Sequence, residues 1–216
     1  MARSTASGKE RASSGRGEAT RERIVDAAVE TLKREGFGGA SAREIARTGG
    51  LNQALVFYHF GSVNQLLLAA LDRTSELRME RYRKMLDEAT DLPALLAAAA
   101  AMYREDLDSG HIKVMAEMIA GASSEPDLGH EIVRRIAPWI AFARGAIDRA
   151  SATMPLGSLV PAEDAAYAVV ALYLGIELLT NLDGDRSRSD RLFATAQRLV
   201  AMFAPMLEVL ARQAES

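Results

Sequence analysis

With 216 residues, 49% of them hydrophobic and 25% charged, the chain has the length and balance of a packed globular fold and not of a disordered or membrane-embedded one. It contains no cysteine, which excludes disulfides, thiolate metal sites and cysteine nucleophiles and fits a reducing, cytoplasmic setting. The net charge of −3 is uneven: residues 1–60 hold 10 Lys and Arg against 7 Asp and Glu, so any polyanion is expected at the N-terminal end.

Abundant Ala and Leu, only 6 prolines and few β-branched runs predict an all-α chain. Residues 1–19 are Ser, Gly, Ala and Arg without periodicity and read as a disordered basic arm. Arg3, Lys9, Arg11 and Arg16 are followed by no apolar stretch, so no secretory signal is expected. From Thr20 to about Glu35, Ile24, Val25, Ala28, Val29 and Leu32 mark one face of an amphipathic helix that Gly36 closes. Ser41-Ala42-Arg43-Glu44 is a capping box, with Ile45 and Ala46 turned inward, and it opens a short second helix. Thr48-Gly49-Gly50 permits a tight turn, and a third helix is predicted to begin at Leu51. Two short helices joined by a glycine turn form a helix-turn-helix.

Ser62-Val63-Asn64-Gln65 is a second capping box, opening a helix to about Glu88 that spans roughly 40 Å at 1.5 Å per residue. Further helices are predicted from Pro93 to about Asp108, from Gly110 through Ala120, and from Ser123 towards Met154. Pro161 opens a helix whose residues 165–182 carry one charge, Glu177. That run is long enough to cross a bilayer, but its small residues, its glutamate and its isolation favour a helix covered by other helices, with no membrane partner. After a polar turn the last helix repeats Leu192, Leu199, Phe203, Met206 and Leu210 at helical spacing. Two apolar helices in a hairpin are most simply covered by the same hairpin of a second copy, with Tyr167, Val170, Leu174 and Leu178 on the first helix of that homodimer interface.

In its order and spacing, the N-terminal segment resembles the TetR family of tetracycline-repressor-like regulators. The match covers about residues 20–72 and rests on Gly36-Phe37, on Ala40 through Ala46, on Gly49-Gly50-Leu51, on Phe57-Tyr58-His59-Phe60 with Gly61-Ser62, and on Leu66-Leu67. The resemblance implies about nine or ten helices, three of them in a DNA-binding domain, a larger helical ligand-binding and dimerisation domain, and repression relieved by a small molecule. The domains expected are the arm at 1–19, the helix-turn-helix domain at 20–61 and the body at 62–216. Two positions depart from the family pattern: Phe57 stands where many members carry a phosphate-contacting Tyr, and Val63 where a Lys often opens the next helix.

On double-stranded operator DNA the third helix would present Asn52, Gln53, Val56, Phe57 and Tyr58 to the major groove. Gln53 is suited to pair bidentately with adenine, and Val56 or Phe57 to touch a thymine methyl. Ser41, Arg43, Tyr58, His59 and Ser62 are candidates for phosphates, with His59 equally readable as an internal contact. A small apolar or amphipathic effector would meet Met85, Met102, Tyr103, Met115, Met118, Trp139, Phe142 and Tyr173, any one of which is as readily ordinary core. Glu177 needs a partner, which is sought among Arg104, Arg144, Arg149, a cation or a ligand hydroxyl. No HExxH, Gly-rich phosphate loop or GxSxG occurs, so neither an enzyme nor a cofactor or metal site is expected. Two alternatives stay open: a non-enzymatic small-molecule binding protein with a degenerate helix-turn-helix, and a transcriptional activator of the same fold.

Overall fold

The structure, a computed structural model, describes residues 4–89, 91–123, 125–151 and 160–214, with side chains over 15–89, 91–123, 125–149 and 160–203. Among them every regular element is a helix: α1 (Ser4–Gly39), α2 (Ala42–Gly49), α3 (Ala54–Phe60), α4 (Val63–Asp87), α5 (Leu92–Ser109), α6 (His111–Ala122), α7 (Pro126–Ser151), α8 (Ala162–Asp183) and α9 (Ser187–Ala214). This is the all-α fold that the composition and patterning predict, and the nine helices among the described residues agree with the nine or ten that the resemblance implies. Met154, named for the end of the seventh helix, lies outside the described residues.

The arm expected over residues 1–19 is corrected: α1 is helical from Ser4. The segment has no proline, and its Ala, Lys, Glu and Arg residues propagate a helix already nucleated by the buried face beyond Thr20. Thr20 Oγ1 donates to the Arg16 carbonyl at 2.9 Å, and Glu18 and Arg21 pair one turn apart at 4.0 Å.

The chain forms two compact units, residues 1–75 with 113–131 and residues 76–112 with 132–216. The division therefore falls inside α4 and not at residues 61/62, and the first unit takes in most of α6 and the start of α7. Three contacts give the physical reason. Phe37 N–H donates to Glu117 Oε2 at 2.9 Å, the Phe37 ring lies where any side chain on Gly121 would stand, and Asn64 Nδ2 donates to Glu125 Oε2 at 2.5 Å.

Within that unit Ile24, Ala28 and Leu32 of α1, Ile45 of α2, Val56 of α3, Leu66, Leu67 and Leu71 of α4, and Val114 and Met118 of α6 are buried. Full burial of each large apolar side chain contributes about 1.5–3 kcal/mol. The α1–α2 turn requires Gly36, whose φ of 72° and ψ of 179° lie in a region open essentially to glycine alone. A Cβ there would also stand 2.7 Å from Glu117 Oε2. α2 ends on Gly50 in the left-handed conformation, and the Leu51 N–H returns to the Ala46 carbonyl at 2.9 Å, making the turn of the helix-turn-helix.

In the second unit Asp91 caps α5, its side chain accepting from the Ala94 N–H at 2.7 Å, with Pro93 in the first turn. Leu86, Ala98 and Ala146 form a small core with Leu95, Met102 and Phe142 packed against it.

Gly36→Ala is expected to lower the free energy of unfolding by about 1–3 kcal/mol in a urea titration, through backbone strain and the collision with Glu117. An unchanged midpoint would show that this turn does not hold the first unit together.

Candidate nucleic-acid interface and effector site

The reading head is positioned by what α1 and α2 do to each other. Thr31 is fully buried on α1 and hydrogen-bonds Thr48 at 3.0 Å, while Arg34 Nη2 reaches both Glu44 Oε1 at 3.1 Å and Thr48 Oγ1 at 3.0 Å. Ser41 Oγ accepts the Glu44 N–H at 3.2 Å, so one half of the predicted capping box forms. The Glu44 carboxylate turns instead to Arg47, whose Nε lies 2.9 Å from Oε2; the hydrogen bonds from Arg47, with Arg34 beside it, hold the Glu44 carboxyl below the usual carboxylate range. Arg34 and Arg47 are thereby committed, whereas Arg43 points to solvent without an ion pair among the described residues.

α3 starts at Ala54, later than predicted, because Asn52 Oδ1 accepts the Ala54 N–H at 2.9 Å and Gln53 takes the N-cap position. Val56, expected on the reading face, is 0% exposed and anchors α3 in the core; that expectation is corrected. Asn52 and Gln53 are exposed, Phe57 is 48% exposed and Tyr58 82% exposed, an open row at the start and outer side of α3. His59 is half-buried with its ring edge-on to Tyr58 at 5.0 Å. Ser62 Oγ caps α4 by accepting the Gln65 N–H at 3.2 Å. The Arg21 guanidinium lies 5.0 Å from the Phe60 ring.

In the second unit Glu177 does find a partner, and it is none of the three arginines proposed from sequence. Those face outward, Arg144 towards Asp148 and Glu163 and Arg149 towards Asp87, while Arg104 is exposed. The partner is Arg78 on α4, nearly buried, with Nη2 3.6 Å from Glu177 Oε1 and in direct contact with Asp106 of α5. Asp106 also accepts from the Tyr82 hydroxyl and, at 3.0 Å, from the Tyr173 hydroxyl. Trp139 offers its face to the Arg78 guanidinium at 4.9 Å. Burial works against the Arg78 charge, but Asp106 and Glu177 outweigh it and raise the guanidinium above its ordinary value. Burial raises Glu177 well above the usual carboxylate range; Arg78 opposes this, and Asp106 adds to it by repulsion and by a shared hydrogen bond. Arg78, Tyr82 and Asp106 were missed in the sequence, although Arg78 and Tyr82 stand four residues apart on one helix face.

Of the predicted effector residues, Trp139, Phe142 and Tyr173 lie in or beside this cluster, with Trp139 edge-to-face on Phe142 at 5.9 Å. Tyr103 is fully buried, donating to Thr180 Oγ1 at 2.6 Å, and Met102 packs beside Phe142. Met85 is half-buried on α4. Met115 and Met118 are buried in the first unit, apart from the rest of the list. A groove of about 440 Å³ opens at the turn between α8 and α9, lined by Ile176, Leu179, Leu182 and Leu192 among others and by none of the predicted effector residues.

α8 has a mean hydropathy of 1.6 over its most apolar stretch, of which 17% is buried within the chain, so most of its apolar surface faces outward. Of the predicted face Tyr167 is exposed while Val170, Leu174 and Leu178 are half-buried, and Leu172, Leu179 and Leu182, which were not predicted, are exposed. Leu192, Leu199 and Phe203 of α9 are exposed; Met206 and Leu210 lie outside the described side chains. Among the described residues no group of three or more His, Cys, Asp or Glu is placed to hold a metal ion.

Residues 24–70 match the profile of the bacterial regulatory proteins of the tetR family. The HTH-type transcriptional regulator BetI of Rhizobium meliloti (strain 1021) is 30% identical over 146 residues, covering 67% of this chain and 68% of BetI. The fold is that of the fatty acid degradation regulator FadR from Bacillus halodurans, with a TM-score of 0.70 at 15% identity over 83% of this chain and 93% of the other. It is also that of the multidrug binding protein EbrR, solved with imidazole, with a TM-score of 0.57 at 22% identity over 81% and 93%.

The raised Glu177 gives a signed expectation. A carboxyl whose folded value lies above its unfolded one is stabilising below the unfolded value, and that stability is lost as pH rises towards the folded value. Glu177→Gln, which stays neutral, should therefore gain stability over the parent as pH rises above the ordinary glutamate range, read as a widening gap in urea midpoints. A gap that is flat with pH would mean Glu177 is ionised in the fold.

Proposed function

Because the chain belongs to the TetR family of bacterial transcriptional regulators, we propose that it is a cytoplasmic, ligand-responsive repressor that binds a palindromic operator as a homodimer and is released by a small molecule. The observation that carries the reading is the α3 surface. Val56 fixes the helix from below, and Gln53, Phe57 and Tyr58 stand outward from a turn closed by Gly50. Gln53 reads adenine in the major groove, Phe57 meets a thymine methyl, and Asn52 and Tyr58 flank them. Ser41, Arg43, His59 and Ser62 hold phosphates, with Arg43 the basic group of α2 left over when Glu44 has taken Arg34 and Arg47.

Two copies meet through the apolar faces of α8 and α9, Tyr167, Leu172 and Leu179 with Leu192, Leu199 and Phe203, giving a self-complementary four-helix interface. The two reading heads then face half-sites about one turn of DNA apart. The effector enters the body beside Trp139, Phe142 and Tyr173 and weakens operator binding by preferring the conformation that binds DNA less well. That EbrR is a multidrug binding protein of the same fold supports a small-molecule role for this body.

Selection of duplexes from a random pool at fixed salt is expected to return a palindrome that Gln53→Ala relaxes at the base pair it reads, by about 1–3 kcal/mol. No enriched motif would overturn the repressor reading in favour of a binding protein with a degenerate reading head. Leu172→Glu should turn a dimer into a monomer in sedimentation and abolish cooperative occupation of both half-sites; a variant that remains dimeric would place the interface elsewhere.

A further inference from the structure

The buried cluster of the second unit holds two polar atoms that its own residues do not satisfy. Arg78 Nε–H and Glu177 Oε1 are buried with no hydrogen-bond partner among the described residues, although Arg78 and Glu177 are each more than nine-tenths buried. Every other strong group around them is used: Asp106 takes the Arg78 Nη2 and the hydroxyls of Tyr82 and Tyr173. An unpaired buried donor or acceptor costs on the order of 1–3 kcal/mol, so a molecule that completes both gains that much twice.

Charge decides what such a molecule can be. The Arg78 cation is already balanced by Asp106 at contact distance. An anionic head would bring a further negative charge against Asp106 in a site of low dielectric. A cationic head would face the guanidinium and offer no lone pair to Arg78 Nε–H. Burial pushes the Glu177 carboxyl above its usual range, and its Oε1, which has no hydrogen-bond partner among the described residues, stands as an acceptor whether or not the group carries a proton. What remains is one donor and one acceptor on neighbouring side chains, bordered by the half-buried rings of Trp139 and Phe142 and the buried ring of Tyr82.

We infer that Arg78 and Glu177 hold the polar head of the effector, and that this head is uncharged and carries an acceptor beside a donor, as a carboxamide does, on an apolar or aromatic body. The inference rests on the reading that the body takes a small molecule. In it Arg78 Nε–H donates to the ligand carbonyl, the ligand N–H donates to Glu177 Oε1, and the aromatic body lies on Trp139.

The test compares phenylacetamide, phenylacetate and phenethylamine, similar in size and differing in the charge and hydrogen-bonding groups of the head, by calorimetry and thermal shift on the full chain at neutral pH. Phenylacetamide is expected to bind at least about tenfold more tightly than the other two, the equivalent of one well-made hydrogen bond. Glu177→Gln, which keeps a carbonyl oxygen, should retain that preference, and Glu177→Leu should erase it while leaving the helical circular dichroism intact. Tighter binding of phenylacetate or phenethylamine would overturn the head-group assignment while leaving the effector-binding reading standing. Binding of phenylacetamide unchanged in Glu177→Leu, or no binding of any of the three, would make the cluster an internal ion network and overturn the proposal. Release of the selected operator by other small molecules then judges the effector-binding reading independently.

Discussion

A guanidinium taken out of water must be surrounded by counter-charge, and in the second unit that requirement fixes the helices. Arg78 sits on α4, and its demands are met by Asp106 from α5, Glu177 from α8 and the Trp139 face from α7. Each of these helices must therefore present one residue at one height, and the apolar side chains around them pack within that frame. Removing Asp106, the contact counter-ion, would leave the buried guanidinium uncompensated, typically a loss of about 3–5 kcal/mol, far more than an exposed pair such as Arg186 with Asp108 contributes. The second unit is organised around a polar knot, and its small apolar core of Leu86, Ala98 and Ala146 lies on a different part of the same helices.

The first unit is organised differently, by backbone geometry. Gly36 breaks the helical run, Glu117 caps the amide that follows, and Gly50 turns the chain into the reading helix. These are local devices with sequence signatures, and for that reason most of this unit could be read in advance. The capping serines at 41 and 62, the closing glycines and the inward faces of the first two helices follow from spacing alone.

Where the reading went astray, the signal was either short or absent. The third helix is only seven residues long, too few to establish a phase from spacing, and Val56 lies in the core where the reading face was expected. The eighth helix is apolar almost all round, so its periodicity does not say which stripe faces out, and Leu172 and Leu179 are exposed where Val170, Leu174 and Leu178 were expected. Glu177 was recognisable as needing a partner, but its partner lies 99 positions away and no local pattern connects them. The N-terminal helix was hidden by a composition that resembles a solvated tail and differs from one only by being joined to a strong helix.

One consequence follows from the shape of the first unit along the chain. Because it gathers residues 113–131 as well as 1–75, it is not a detachable module with a single joint. A graft that moved residues 1–75 onto another regulator's body would leave the Phe37 amide and the Asn64 side chain without the carboxylates that receive them, and the Phe37 ring without the bare glycine it rests on. Recombination between such proteins is thus constrained to exchange two segments together, while the exposed residues on the outer side of α3 can diversify without disturbing those contacts.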